Sequence, residues 1–310
     1  MRYVVGVDLG GTKTAAGVVA EDRSVLFTEL IPTLNRDGGE AILDATAALV
    51  RSLVERAAAM GAVVDAVGVG SAGVINATEG TVISATDAIL GWTGTAIAAG
   101  LGDRLGLRCA VVNDVHAHAL GEAAQGAGAG KDSVLMTAFG TGVGGSFVLN
   151  GQPLLGHHFV GGHVGHFASP YAVDRGTPLP CSCGHAGHVE AIASGPAIHA
   201  AYLRGGGSAA LEDTKAVFAS ARAGDELALH VISTAAAAAG QAVGGLINIL
   251  DPAVVVVSGG LADAGELWWD TMVPALRAEL LAPLASVSVV RATLGNTAAI
   301  LGAASLVLAR

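Results

Sequence analysis

The chain has 310 residues, with 16 Lys plus Arg against 26 Asp plus Glu and a formal net charge of −10. That length exceeds one typical domain and allows two units, each large enough to bury its own core. The negative balance excludes the basic footprint that nucleic-acid phosphates require. Hydrophobic residues make up 52% and aromatics only 4%, so the core is built from Ala, Val and Leu. The 45 glycines are spread through strand–turn junctions rather than low-complexity runs, which points to a folded globular chain. Three cysteines cannot form a secreted disulfide framework, and the expected compartment is the cytoplasm.

In chain order, Tyr3–Asp8 reads as a strand, too short and too soon charged for an export signal, and Ala15–Val19 as its hairpin partner. Glu40–Met60 follows as an Ala-rich helix and Val63–Gly70 as a strand running into the turn Ser71-Ala72-Gly73. Cys109–Val112 is a strand ending at Asn113-Asp114, with a helix over Val115–Ala124. The pattern then restarts. Ser133–Ala138 is a strand, Gly140–Gly145 a turn, and Ser146–Leu149 a strand with the hairpin corner Asn150-Gly151. Helices dominate from Val189 to Leu250, and Ala253–Val257 is a strand stopped by Ser258-Gly259-Gly260. Val231–Leu250 has the length of a membrane span, but its Ser, Thr, Gln, Asn and Gly content and its many alanines predict a buried helix and no membrane partner. Such interleaving is α/β, and two glycine turns at matching places suggest a duplicated fold.

Three local patterns carry chemistry. Asp8-Leu9-Gly10-Gly11-Thr12-Lys13 and Gly140-Thr141-Gly142-Val143-Gly144-Gly145 each follow a strand. Neither fits the dinucleotide or P-loop context, because a strand rather than a helix comes next. Each alone reads as an ordinary hairpin; together they suggest backbone N–H groups cradling a nucleotide's phosphates. The third pattern is Cys181-Ser182-Cys183, followed by His185 and His188, with His166 upstream. Thiolates and imidazoles packed this closely suit a tetrahedral Zn²⁺ site; the alternative is two reduced thiols among loop histidines.

The segments VGVDLGGTKTAAGVV, VVNDVHAHALGEA, FGTGVGGSFVLNG, GGHVGHFAS, CSCGHAGHVEAIASG and VVVVSGGL resemble, in order, the motifs of the ROK family of repressors and sugar kinases. The resemblance spans nearly the whole chain. It implies a two-lobed, actin-like ATPase fold of the hexokinase type, with sugar and ATP in the cleft between lobes. It also implies an N-terminal lobe over 1–115, a C-terminal lobe over 116–295, and a returning C-terminal helix over 296–310. On this basis Asp114 is the catalytic base, and Gly73, Asn113, Asp114, His163, His166 and Glu190 contact the sugar. Asp8, Gly10, Gly11, Thr12, Lys13, Thr141 and Gly142 hold the phosphates of ATP and its Mg²⁺, and Gly259 and Gly260 lie by the adenosine. A homo-oligomer, dimer or tetramer, is also implied.

The chain departs from the family pattern in two places. The last zinc cysteine is replaced, so the expected ligands are His166, Cys181, Cys183 and His188, with His185 as the rival for the fourth; Pro170–Pro180 also lengthens the preceding loop. The family's glucose kinases carry Glu where this chain has His163, a feature similar to bacterial N-acetylmannosamine kinases. An imidazole can donate to an acetamide carbonyl, whereas a carboxylate only accepts. Glucose is the next acceptor expected, with fructose and allose behind it.

Some residues admit plainer roles. Asp114 could cap a helix, and Glu190 could be a helix N-terminal carboxylate. His116 and His118 are expected on a helix surface and Cys109 in the core. A repressor needs a DNA-binding segment ahead of Asp8, where only seven residues stand, and a non-catalytic sugar sensor is expected to lack Asp114.

Overall fold

The computed structural model describes residues 1–86 and 88–308. Contact density divides it into two units. The first comprises Met1–Gly130, Val148–Gly161 and Thr293–Arg310, and the second Lys131–Phe147 and Gly162–Ala292.

The first unit opens with β1 (Tyr3–Leu9), β2 (Lys13–Ala20) and β3 (Val25–Pro32), an antiparallel meander, followed by α1 (Gly39–Ala59). Then come β4 (Val64–Ser71), the small pair β5 (Val74–Asn76) and β6 (Thr81–Ser84), α2 (Ile97–Leu105), β7 (Arg108–Asn113) and α3 (Asp114–Gln125). The sheet order is β3-β2-β1-β4-β7, with β1, β4 and β7 parallel. Apolar side chains of α1 and the sheet, including Val5, Val7, Leu43, Val50 and Val69, form one core on one face.

In the second unit β8 (Ser133–Phe139) turns into β9 (Val143–Leu149); the end of β9 from Val148 and its partner β10 (Gln152–Pro153) are counted with the first unit. A small hairpin, β11 (Val173–Asp174) with β12 (Thr177–Pro178), precedes the helices α4 (Glu190–Ala193), α5 (Gly195–Arg204), α6 (Thr214–Arg222) and α7 (Glu226–Leu250). β13 (Val254–Ser258), α8 (Glu266–Glu279) and β14 (Ser288–Arg291) complete the unit, and α9 (Thr297–Leu308) belongs to the first. The second sheet runs β10-β9-β8-β13-β14, which repeats the first sheet's plan of a hairpin extended by parallel strands.

α7 is long and apolar enough to cross a membrane by length and composition, yet 61% of its apolar window is buried. Ala235, Ala236, Ala239 and Val243 join the second unit's main core. An Ala-rich interior helix, as its sequence predicts, accounts for it.

The first unit reaches Gly130 rather than stopping at the expected 115, because α3 packs against α9. α9 spans most of the expected 296–310; Ala309 and Arg310 lie outside the described residues. α3 and α9 touch backbone to backbone. A Cβ on Gly302 would overlap Ala117 O, and one on Gly121 would overlap Ala298 O. Gly6 and Gly68 let the other side of α9 settle on β1 and β4 in the same way. The fully buried Glu122 fastens the entering segment, accepting N–H groups from Ala127, Thr293 and Leu294 at 2.8–3.2 Å.

This packing corrects one expectation. His116 lies on the buried side of α3 at 1% exposure, and His118 is half-buried, its pKa lowered by burial against a smaller upward pull from Glu122. Neither faces open solvent. Cys109 is only partly buried; burial still raises its thiol pKa to about 11, so it stays protonated. Gly302→Ala should cost about 2–3 kcal/mol or more, since backbone blocks the new methyl group. Urea unfolding of the variant and wild type checks this.

Candidate active site

The parallel strands β1, β4 and β7 end at one level. Asp8 stands opposite Gly70, Leu9 opposite Ser71, and Ser71 opposite Asn113. Ligands of open α/β sheets bind beyond these carboxyl ends. Gly70 is needed there, because a Cβ would press on Ala117 Cβ at 2.6 Å, inside the helix that carries Asp114.

Asn113 is the N-cap of α3. Its Oδ1 accepts the Val115 N–H at 2.9 Å, while its Nδ2 donates to Gly73 O at 2.9 Å. The cap therefore falls to Asn113, and Asp114 is the first helical residue, where the helix dipole favours a carboxylate. Its Oδ1 also lies 2.9 Å from the Val115 N–H. Gly73 adopts φ +98°, open to glycine, and its turn is held by the buried Trp92. The indole N–H donates to Ala72 O at 3.1 Å and reaches Ser71 Oγ at 3.3 Å.

The turn after β1 is tight. Gly10 N–H donates to Lys13 O at 3.1 Å, and Thr33 Oγ1 and Asn35 Nδ2 donate to Gly10 O and Gly11 O, each at 2.8 Å. Thr12 and Lys13 are left exposed. Trp92, Thr33 and Asn35 escaped the sequence reading because each lies far along the chain from the turn it holds. Asp8 is half-buried beside Asp114, and its pKa is raised to about 7, first by burial and then by that neighbouring charge. Two carboxylates here, beside exposed N–H and ammonium donors, can hold a cation and take a proton from a hydroxyl.

In the second unit, Gly140 N–H donates to Gly142 O at 2.9 Å and Thr141 is exposed. The Ser258-Gly259-Gly260 turn packs onto the end of β8, where a Cβ on Gly259 would overlap Phe139 backbone. Four ligand atoms converge nearby in sequence. His166, Cys181, Cys183 and His188 place theirs within 4.8 Å of one another. Cys181 Sγ is 3.5 Å from His166 Nδ1 and Cys183 Sγ is 3.3 Å from His188 Nδ1. Bonds of about 2.1–2.3 Å to one tetrahedral ion put neighbouring ligands at such separations, so the four could hold a metal. His185 is outside the group and spends its carbonyl on Cys181 N–H at 2.8 Å.

His163 and His166 stack with ring centroids 6.2 Å apart. Burial lowers the His166 pKa, with Glu190 pulling it back up. Glu190 begins α4 and takes the Val143 N–H on Oε2 at 2.9 Å and the Ser182 hydroxyl on Oε1.

The raised Asp8 pKa has a thermal consequence. The unfolded group ionises near 3.9 and the folded one near 7. Between those values the unfolded chain binds fewer protons, so stability should fall as pH rises from about 4 to about 7. Asp8→Asn should flatten that slope and raise the melting temperature of the ligand-free protein at pH 7.5. Melting scans of both proteins across the window test this.

The sequence model of the ROK family matches residues 4–310. The chain is 33% identical to a glucokinase of Streptomyces coelicolor, covering 99% of this chain and 98% of that one. It is 30% identical to an N-acetyl-D-glucosamine kinase of Yersinia pseudotuberculosis, covering 98% of each. Its structure resembles a ROK family glucokinase of Streptomyces griseus in complex with glucose and AMPPNP, at TM-score 0.78 and 33% identity over 98% of each chain. A match along almost the whole length, with a solved relative of the same fold, means that the chain belongs to the ROK family.

Proposed function

We propose that this ROK-family sugar kinase transfers the γ-phosphoryl group of ATP to the 6-hydroxyl of N-acetylmannosamine. Asp114 takes the hydroxyl proton as the sugar oxygen bonds to phosphorus and the bond to ADP breaks. Phosphoryl transfer depends mainly on positioning and charge stabilisation, so the base need only orient and deprotonate. With Asn113 as the cap, Asp114 is not required for that duty, which favours the catalytic reading.

Gly10, Gly11, Thr12, Lys13, Thr141 and Gly142 hold the phosphates in this reading, and Gly259 and Gly260 flank the adenosine. Mg²⁺, when bound, would shield phosphate charge, and Asp8 is its carboxylate. His166, Cys181, Cys183 and His188 are read as the ligands of a Zn²⁺ that would fix the loop beside the sugar, a reading their convergence supports. The enzyme is taken to work in the cytoplasm.

One observation carries the choice of acceptor: His163 stacks on His166 where a glucose-type site would carry a carboxylate. Gly73, Asn113, His166 and Glu190 hold ring hydroxyls, and His163 donates to the acetamido carbonyl. Leaving one buried acceptor unpaired costs about 1–3 kcal/mol, so this exchange alone gives at most roughly 10²-fold discrimination. Glucose is the second reading, favoured by the glucokinase at 33% identity.

Asp114→Asn should leave sugar affinity intact and lower kcat about 10²-fold or more. A kcat within a few-fold of wild type would remove the base assignment. ADP release across hexoses and N-acetylhexosamines should rank N-acetylmannosamine first, and His163→Glu should shift the kcat/KM ratio toward glucose. A wild-type preference for glucose would overturn the acceptor and leave the kinase standing.

A further inference from the structure

The contacts of Glu190 reach beyond sugar binding. Its two carboxylate oxygens are tied in different directions: Oε2 to the Val143 N–H, and Oε1 to the Ser182 hydroxyl, with the Cys181 thiol a longer contact on Oε1 at 3.9 Å. Val143 directly follows Gly140-Thr141-Gly142, the nucleotide loop of the proposed kinase. Ser182 stands between the two cysteines of the metal-binding group. Gly142 leaves space for the carboxylate, since a Cβ there would lie 2.7 Å from Oε2. The same loop is tied on its other side by Gly195 N–H donating to Gly140 O at 2.8 Å. That tether comes from α5 and does not involve the metal turn. Glu190 therefore joins the metal turn to the loop.

Backbone bonds from Cys181 N–H to His185 O at 2.8 Å and from Gly184 N–H to Cys181 O at 3.1 Å close the turn, and neither engages Ser182. Gly184 and Gly187 sit at φ +88° and +79°, and Ser182 and Cys183 are exposed. At an exposed position the Ser182 hydroxyl competes with water for its carboxylate bond. A metal bound by Cys181 and Cys183 fixes both neighbours of Ser182, and thereby its hydroxyl. Hydrogen bonds to an ionised carboxylate are short and strong once their geometry is held. The second lone pair on each oxygen leaves Glu190 able to accept a sugar hydroxyl as well.

We infer that Ser182 is a positioning residue that transmits metal occupancy to the nucleotide loop through Glu190. A filled His166–Cys181–Cys183–His188 site thus tightens nucleotide binding. This inference rests on the kinase reading, and calorimetry without sugar separates the two. AMPPNP with Mg²⁺ is titrated into the full chain, zinc-loaded and chelator-stripped, with zinc content measured and folding followed by circular dichroism. Stripping the wild type should weaken AMPPNP binding about tenfold, within the usual range of coupling between sites. Loaded Ser182→Ala should show full zinc content and a comparable weakening, with little further change on stripping. Ser182→Thr, which keeps the hydroxyl, should restore the wild-type affinity.

Ser182→Ala with full zinc and wild-type AMPPNP affinity overturns the inference, as does equal weakening of both proteins on stripping. If stripping unfolds the chain, the loaded Ser182→Ala and Ser182→Thr proteins decide alone. A wild type that binds no AMPPNP overturns the kinase reading and the inference together.

Discussion

Parallel pairing of β1, β4 and β7 is the constraint on which the first unit's chemistry depends. In-register strands end together, so Asp8, Ser71 and Asn113 arrive at one edge although they are far apart in sequence. α3 starts there and brings Asp114 with it. The edge holds this form because α9 lies directly on β1, β4 and α3. That approach is possible only where Gly6, Gly68, Gly121 and Gly302 carry no side chain. The short apolar helix α9 thus supports the edge where Asp8 and Asp114 stand.

The second unit repeats the plan with different chemistry. A hairpin and two parallel strands recur in the same sheet order, and each first hairpin turns through glycines. The first turn has Asp8 just before it; the second is preceded by Phe139, whose ring packs against Trp268 with centroids 5.3 Å apart. The two sheets share a plan, while an acidic residue precedes the turn in the first only. What the second unit adds is the segment from Gly162 through α4, where the four possible metal ligands and Glu190 gather.

Glu190 illustrates how one side chain can carry a structural and a functional reading together. At the start of α4 it suits the helix dipole, and its oxygens collect donors from a turn upstream and a loop further upstream. A carboxylate has capacity to spare after two such bonds. Fixing its direction is also what a sugar ligand requires.

Much of this was legible in the sequence because it depends on local rules. Strand–glycine–strand turns, the Asn-Asp pair ending a strand, and Cys and His residues a few positions apart all follow from backbone preference or ligand reach. The motifs ROK proteins share could therefore be read in order from one chain. Other features depend on contacts between distant segments. Local spacing left His185 and His188 as rivals, and the loop's folding put His188 in the group. Helical spacing gave no sign that His116 would be buried, nor that Thr33, Asn35 and Trp92 would hold turns distant from them in sequence. Chemical identity along the chain set which groups were available. Only tertiary packing decided their separation and burial, because both depend on residues that local sequence does not bring together.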